Sequence, residues 1–348
     1  MKVLITGSGG LIGSEAVEYF CHKPGAEVIG IDNNLREFFF GEQGSVLKRI
    51  GYLKNTYSNY THYNENICVY NTLAQVFKDF DGFDLIIHTA AQPSHDWAVK
   101  APITDFMVNV HGTMNCLECF RQYSPEAVFI YTSTNKVYGD TPNRLPFLEL
   151  QTRWDLPLQH KYSNGIDESM SIDNCLHSIF GANKLAADIM VQEYGKYFKL
   201  KTTVFRGGCL TGPNHAGVEL HGFLSYLVKC ALSKTKYKIF GHKGKQVRDN
   251  IHSKDLITAF DEVYKNPNYG EVYNIGGGTF SNCSIIEAKN ILHYTFGIDL
   301  QTEYVETPRI GDHIWWISDT SKFKKDYPDW VQKYDIRDII SEIIEKNK

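Results

Sequence analysis

Apolar residues gather first in a short run, Lys2–Thr6. They recur at helical spacing (Leu11, Ile12, Ala16, Val17, Phe20), then run again over Glu27–Ile31 and stop at Asp32. Short apolar runs read as buried strands, and spacings of three and four as one face of a helix. The alternation continues along the chain. Asn66–Val69 is a third strand candidate and Asn71–Phe80 a helix. Leu85–Thr89 is a buried strand, Asp105–Tyr123 a long helix and Ala127–Tyr131 another apolar strand. Ser178–Phe198 is a strong helix and Thr202–Arg206 a further strand. Between them, Asn33–Asn66 reads as an aromatic-rich loop with helical potential over Gly44–Lys54, and Gln92–Pro102 as a loop. Strands that alternate with helices and are apolar throughout predict a doubly wound parallel α/β sheet.

Past residue 206 the pattern changes to short helices, loops and isolated strands. Leu220–Leu232, Lys236–Phe240, Ser253–Tyr264, Val272–Ile275, Ser284–Thr295 and Arg337–Glu345 predict a smaller α/β substrate domain interleaved with the first. The expected division is 1–210 for the dinucleotide domain, with return segments near 250–278, and 211–348 mainly for the substrate domain. Thr141–Cys175 is irregular and reads as a lid or substrate loop.

Gly7, Gly10 and Gly13 lie between the first strand and the first helix. Strand, glycine turn, helix, strand and terminal acid within about 30 residues make a nucleotide-binding βαβ unit of the Rossmann type. The glycines allow a tight turn and a close pyrophosphate. The helix behind them offers the free N–H groups of Leu11, Ile12 and Gly13 and its positive dipole end. Asp32 is placed to accept from ribose hydroxyls and would repel a 2′-phosphate. Arg36 is the one nearby cation that argues for NADP, and the balance favours NAD. Thr89, Ala90 and Ala91 end the fourth strand with small side chains, which leaves room for a cofactor against the backbone.

Composition excludes more than it adds. The 348 residues carry a net charge of −4 and are 43% hydrophobic. Nothing there points to nucleic acid or an anionic membrane as partner. No apolar run approaches the roughly 18 residues of a membrane span, and Val3–Ile5 is too short for a signal peptide. Eight cysteines without framework spacing suit reduced thiols in a cytoplasmic protein. Cys116 and Cys119 form a CxxC inside a predicted helix and read as packing. No metal site is expected.

Several of these features taken together resemble the extended short-chain dehydrogenase/reductase superfamily. They are TGxxGxxG at Thr6–Gly13, Asp32, His88–Ala91, Ser133-Thr134 ahead of Val137-Tyr138-Gly139, and a helix bearing Lys184. The chain is most similar to the nucleotide-sugar epimerase and dehydratase branch, and within it to the CDP-tyvelose (CDP-paratose) 2-epimerases. The closest likenesses there are Ser133–Asp140, Asp167-Glu168-Ser169 and Gly244–Asp249. The resemblance implies an NAD enzyme that epimerises a nucleotide-diphospho-sugar through a transient ketone. It implies further cofactor contacts at Asn33, Asn66, Ile67, Asn109, Thr132 and Lys184. Implied substrate contacts are Gln92, Ser94, Asn135, Lys136, Arg206, Asn214, Arg248 and Arg309. It also implies a homodimer through the helices Asp105–Tyr123 and Ser178–Phe198. Where dehydratases of the branch carry Asp-Glu, this chain has Asn135-Lys136, which disfavours dehydration. Cys209 stands where many relatives place an Asn that contacts the diphosphate.

The superfamily's phenol is a Tyr one helical turn before the Lys, flanked by a Ser or Thr hydroxyl. Thr134 and Lys184 match their roles; the phenol position is Phe180, which has no proton to exchange. Loss of a positioned acid/base costs typically 10²–10⁴ in rate. Three readings follow: an engineered Tyr-to-Phe variant, an enzyme that recruits another group, or a silent NAD or nucleotide-sugar binder. The recruits to weigh are His177, first in line, with Tyr162, His95 and Asp96. A net dehydrogenase or a dehydratase is the alternative within enzymes.

Overall fold

The structure, a computed structural model, describes residues 1–219, 222–309 and 311–348. The chain forms two compact units. The first comprises Met1–Thr134, Ile179–Arg206 and Ile257–Tyr273, and the second Asn135–Ser178, Gly207–Leu256 and Asn274–Lys348. The expected boundary near 210 is thereby corrected: residues 135–178 go with the C-terminal segments. That stretch has no apolar period, so its pattern could not assign it to either core.

The first unit is built on a seven-stranded parallel sheet of β1 (Lys2–Thr6), β2 (Glu27–Ile31), β3 (Tyr60–Tyr63), β4 (Leu85–His88), β5 (Val128–Thr134), β6 (Lys201–Gly207) and β7 (Glu271–Ile275). Its spatial order is β7-β6-β5-β4-β1-β2-β3. β1 pairs in parallel with β2 and β4, so Thr6 lies beside both Ile31 and His88. This register brings the carboxyl ends of three strands together. Ligands of doubly wound sheets bind at such ends. The core beside the sheet includes Leu4, Ile29, Ile86, Leu117, Phe120, Phe129 and Val191. Each fully buried side chain of this kind contributes roughly 1.5–3 kcal/mol.

The third strand is Tyr60–Tyr63, which pairs with β2; Asn66–Val69 is instead a turn. The Asn33–Asn66 stretch contains two helices, Leu35–Phe40 and Leu47–Thr56. The Gln92–Pro102 loop contains the short helix His95–Lys100. The long helix expected over 105–123 runs as Pro102–Phe106 and Gly112–Tyr123, joined by a π-helical turn at Met107–His111. Ser178–Phe198 is helical as expected.

The second unit is organised on the strand Val247–His252. It pairs with Asn282–Ser284, Trp315–Trp316 and Cys209–Thr211. The helices Phe223–Ser233, Ile285–Phe296 and Ile336–Asn347 pack a separate core of Leu224, Leu227, Val228, Leu292, Ile339 and Ile343. Leu220, the predicted start of the first of these helices, lies outside the described residues. Capping boxes at Ser284/Glu287 and Asp335/Asp338 satisfy two helix N-termini.

Candidate functional site

The glycine turn is a backbone cradle. Gly7 adopts φ +71°, and a Cβ there would lie 2.8 Å from the Ala90 nitrogen. A Cβ on Gly13 would lie 2.1 Å from the Gly7 carbonyl oxygen. Gly10 caps the helix Leu11–Cys21 with no side-chain hydrogen bond, so the first helical N–H groups keep their donors for a ligand. Asp32 faces this turn. Its Oδ2 accepts from Gly9 N–H at 2.9 Å and its Oδ1 from Asn34 N–H at 2.8 Å. Burial pushes its carboxyl up, and those two N–H groups pull it back. Arg36 lies over the Phe40 ring, and burial lowers its guanidinium to about 10 against the pull of Asp32. A tight phosphate-sized backbone turn, open helix N–H groups and an oriented acid fit a dinucleotide.

Next to the cradle, the end of β4 is held by side chains. Thr113 Oγ1 donates to the Asn109 carbonyl and accepts from His88 Nε2–H, which leaves His88 Nδ1 to accept from Thr6 Oγ1 at 2.6 Å. Burial, then the Lys184 charge, pushes the His88 imidazole down to about 3, so it stays neutral. Thr89 Oγ1 donates to the Thr6 carbonyl at 2.7 Å. Asn109, on the π turn, exchanges hydrogen bonds with the Gln92 backbone. Asn33 caps Leu35 N–H, and Asn66 and Ile67 form the turn before the helix Tyr70–Asp79.

Lys184 is buried on the helix Ser178–Phe198. Its ammonium donates to the Thr132 carbonyl at 2.9 Å and lies 4.3 Å from the Tyr131 ring centroid. Burial lowers it to about 7, while Asp188 and Asp105 act in the opposite direction. Thr132 and Thr134 end β5, so the strand that holds the lysine also carries the candidate hydroxyl. Phe180 stands one helical turn before Lys184, 7% exposed, with its ring against His95 at 4.7 Å between centroids.

Two buried carboxylates that were not singled out from the sequence hold this helix. Asp188 accepts from Ser133 Oγ at 2.6 Å and from both arms of Arg206 at 3.0 Å. Arg206, expected to contact substrate, is thus engaged in a buried two-point ion pair with its own unit. Asp105, 1% exposed, accepts from Gln92 Nε2, Asn109 Nδ2 and Asn183 Nδ2. Gln92 and Ser94, also expected at the substrate, are buried members of this network.

The second unit gathers cations of its own. Arg248 forms a close ion pair with Asp312 and donates to the Val247 carbonyl. Lys136 donates to the Gly311 carbonyl at 2.9 Å, and burial lowers its ammonium to about 8. Burial lifts the Cys209 thiol to about 12, against the nearby Arg248 charge. Arg309 lies over the Phe240 ring and donates to the Glu219 carbonyl. Asn135 is buried, and Asn214 sits in the turn after Cys209–Thr211. Tyr162 is buried with Lys161 over its ring. His177 Nε2 is 2.8 Å from the Ile172 carbonyl and 3.3 Å from Cys175 Sγ. Among the described residues no group of three or more His, Cys, Asp or Glu could hold a metal, and no helix is long and apolar enough to cross a membrane.

Residues 3–276 match the family described as "NAD dependent epimerase/dehydratase family". The chain is 30% identical over 349 residues to CDP-paratose 2-epimerase of Salmonella typhi, covering 97% of this chain and 96% of that protein. Its fold resembles UDP-glucuronic acid 4-epimerase from Bacillus cereus in complex with UDP-glucuronic acid and NAD (TM-score 0.81, 22% identity, 99% of this chain and 98% of that one). It also resembles dTDP-glucose 4,6-dehydratase from Bacillus anthracis in complex with NAD (TM-score 0.77, 24% identity, 99% and 96%).

Proposed function

The chain belongs to the NAD-dependent epimerase/dehydratase family, and on that premise we propose that it epimerises one carbinol of a nucleotide-diphospho-sugar through a transient ketone. The cofactor is NAD, which when bound supplies a reversible hydride acceptor. The N–H groups of Leu11, Ile12 and Gly13 would hold its pyrophosphate and Asp32 its adenosine ribose. Thr89–Ala91 and Thr132 would flank it, and Lys184 would bind the nicotinamide ribose. Thr134 would share the substrate oxygen. In the second unit, Arg248, Arg309 and Lys136 would meet the diphosphate, where guanidinium forks suit phosphate oxygens. Lys136 and Asn135 replace the acid pair that dehydration needs, which favours epimerisation.

The observation that carries this reading is Lys184. It is an amine buried on the helix and tied to the strand that ends in Thr134, and a buried lysine near neutrality suits chemistry more than structure. A second reading, a silent binder, is favoured by Phe180, which stands in the phenol position. The eight cysteines are all free thiols, which supports a cytoplasmic protein. Exposed Ile103 and Phe106 on one helix, and Ile179 and Ile189 on the other, support a homodimer. The test is to incubate NAD-loaded protein with CDP-, UDP-, dTDP- and GDP-sugars and to follow the NADH band and the sugar products. A new epimer without lasting NADH supports the epimerase. A lasting rise means a dehydrogenase, and no product means a binder.

A further inference from the structure

Phe180 leaves the proposed reaction without a phenol, and one titratable ring lies against it. The His95 imidazole and the Phe180 phenyl pack at 4.7 Å between centroids. His95 is half-buried. The placement is built rather than incidental. His95 opens the helix His95–Lys100, whose cap Ser94 accepts from Trp97 N–H. The Ser94 N–H donates to Gln92 Oε1 at 2.6 Å, and Gln92 Nε2 donates to Asp105 Oδ1 at 2.6 Å. The other oxygen of Asp105 accepts from Asn183 Nδ2 at 2.6 Å. Asn183 lies beside Lys184 on the helix that carries Phe180. One buried carboxylate therefore ties the turn bearing His95 to the helix bearing Phe180 and Lys184. His177 is engaged with Ile172 and Cys175 in its own loop.

We propose that His95 is the general acid/base of this chain; the proposal rests on the epimerase reading. In the oxidative half, the O–H bond of the sugar carbinol breaks and its proton passes to a neutral imidazole nitrogen. The electron pair of the adjacent C–H bond leaves with its hydrogen as hydride to the oxidised nicotinamide of NAD, and the carbon becomes a ketone. In the return half, the hydride comes back to the other face and the imidazolium gives its proton to the oxygen. Imidazole suits both halves because both its forms are accessible near neutral pH. The charged groups on the elements packed here are Asp96 and Lys100 on its own turn, Asp105 behind Gln92, and Lys184 and Asp188 beyond Phe180.

The test uses NAD-loaded protein as H95Q, F180Y and the double variant, on a nucleotide sugar that the wild type epimerises. H95Q alone should lose roughly 10²–10⁴ in turnover with its NAD content unchanged. In the F180Y background the same change should cost less than about tenfold, because the new phenol supplies the proton. Undiminished turnover of H95Q, or equal losses in both backgrounds, overturns the proposal while leaving the epimerase reading intact. A wild type that turns over no nucleotide sugar overturns both. A readout independent of turnover is the imidazole ¹⁵N signal that disappears in H95Q, followed in the protein without NAD. It should titrate between about pH 5 and 8 and shift in F180Y. A signal frozen across that range, or blind to the new hydroxyl, contradicts the assignment.

Discussion

The first unit holds two regions that meet the proposed cofactor in opposite ways. The turn Gly7–Gly13 acts through backbone: its chemistry is N–H groups, a carbonyl and the absence of Cβ atoms. The turn Phe180–Lys184 would act through side chains set by a polar network in which Asp105 and Asp188 are buried and Asn183 and Thr132 half-buried. A backbone site depends on shape and keeps its function as long as nothing fills it. A side-chain site depends on individual functional groups, so one exchanged atom changes what it can do while the packing stays the same. On the proposed reading, holding the cofactor and moving the proton would be separable in this molecule.

The sharpest way to break that comparison is Gly13→Ala. Its new Cβ meets the Gly7 carbonyl at 2.1 Å, so the turn must open. NAD affinity measured by calorimetry should fall by more than about 100-fold, close to 3 kcal/mol. Lys184→Met tests the other region. It should lower turnover by about 10²–10³ while NAD affinity falls by less than about tenfold. The same variant has a pH signature in the protein without NAD. The lysine near 7 in the folded chain rises to about 10.4 unfolded, so the unfolded chain binds more protons between these values and stability increases with pH there. Urea unfolding should show the wild type gaining about 2 kcal/mol on Lys184→Met between pH 7 and pH 9. An unchanged gap would mean that the ammonium is not desolvated.

Asp105→Asn puts an amide donor among three donors. Stability should fall by about 2 kcal/mol in denaturant titration, with turnover reduced as the two helices loosen and NAD still bound. Arg248→Lys keeps the charge in the second unit and loses the fork. Affinity for a nucleoside diphosphate should fall by about tenfold, the smallest effect of the series, with no change for NAD.

The same contrast explains what could be read without coordinates. The glycine turn, Asp32 and the buried strands were legible because backbone constraints and apolar runs leave local marks in a sequence. The third strand was misplaced because Tyr60–Tyr63 is a polar edge strand, with an exposed Thr61 and only one buried ring, and Asn66–Val69 looked more apolar. The helix His95–Lys100 was hidden by its brevity. Asp105 and Asp188 were illegible because an acid in a helix reads as a solvated face. Their donors lie 4 to 78 positions away along the chain, and only the fold shows that they converge. Arg206, which the resemblance implies at the substrate, pairs with Asp188, 18 residues away on another element, a convergence that only the fold shows.

The central claim is that this chain oxidises and re-reduces one sugar carbon on NAD without releasing the ketone. It is tested most directly with a nucleotide sugar deuterated at every ring carbon, incubated with the NAD-loaded protein and analysed by mass spectrometry and NMR. The account predicts an epimer that retains all of its deuterium, with the cofactor oxidised at the end. Deuterium lost to solvent, deuterium accumulated in NADH with a ketosugar product, or no epimer from any of the four nucleotide classes would contradict it.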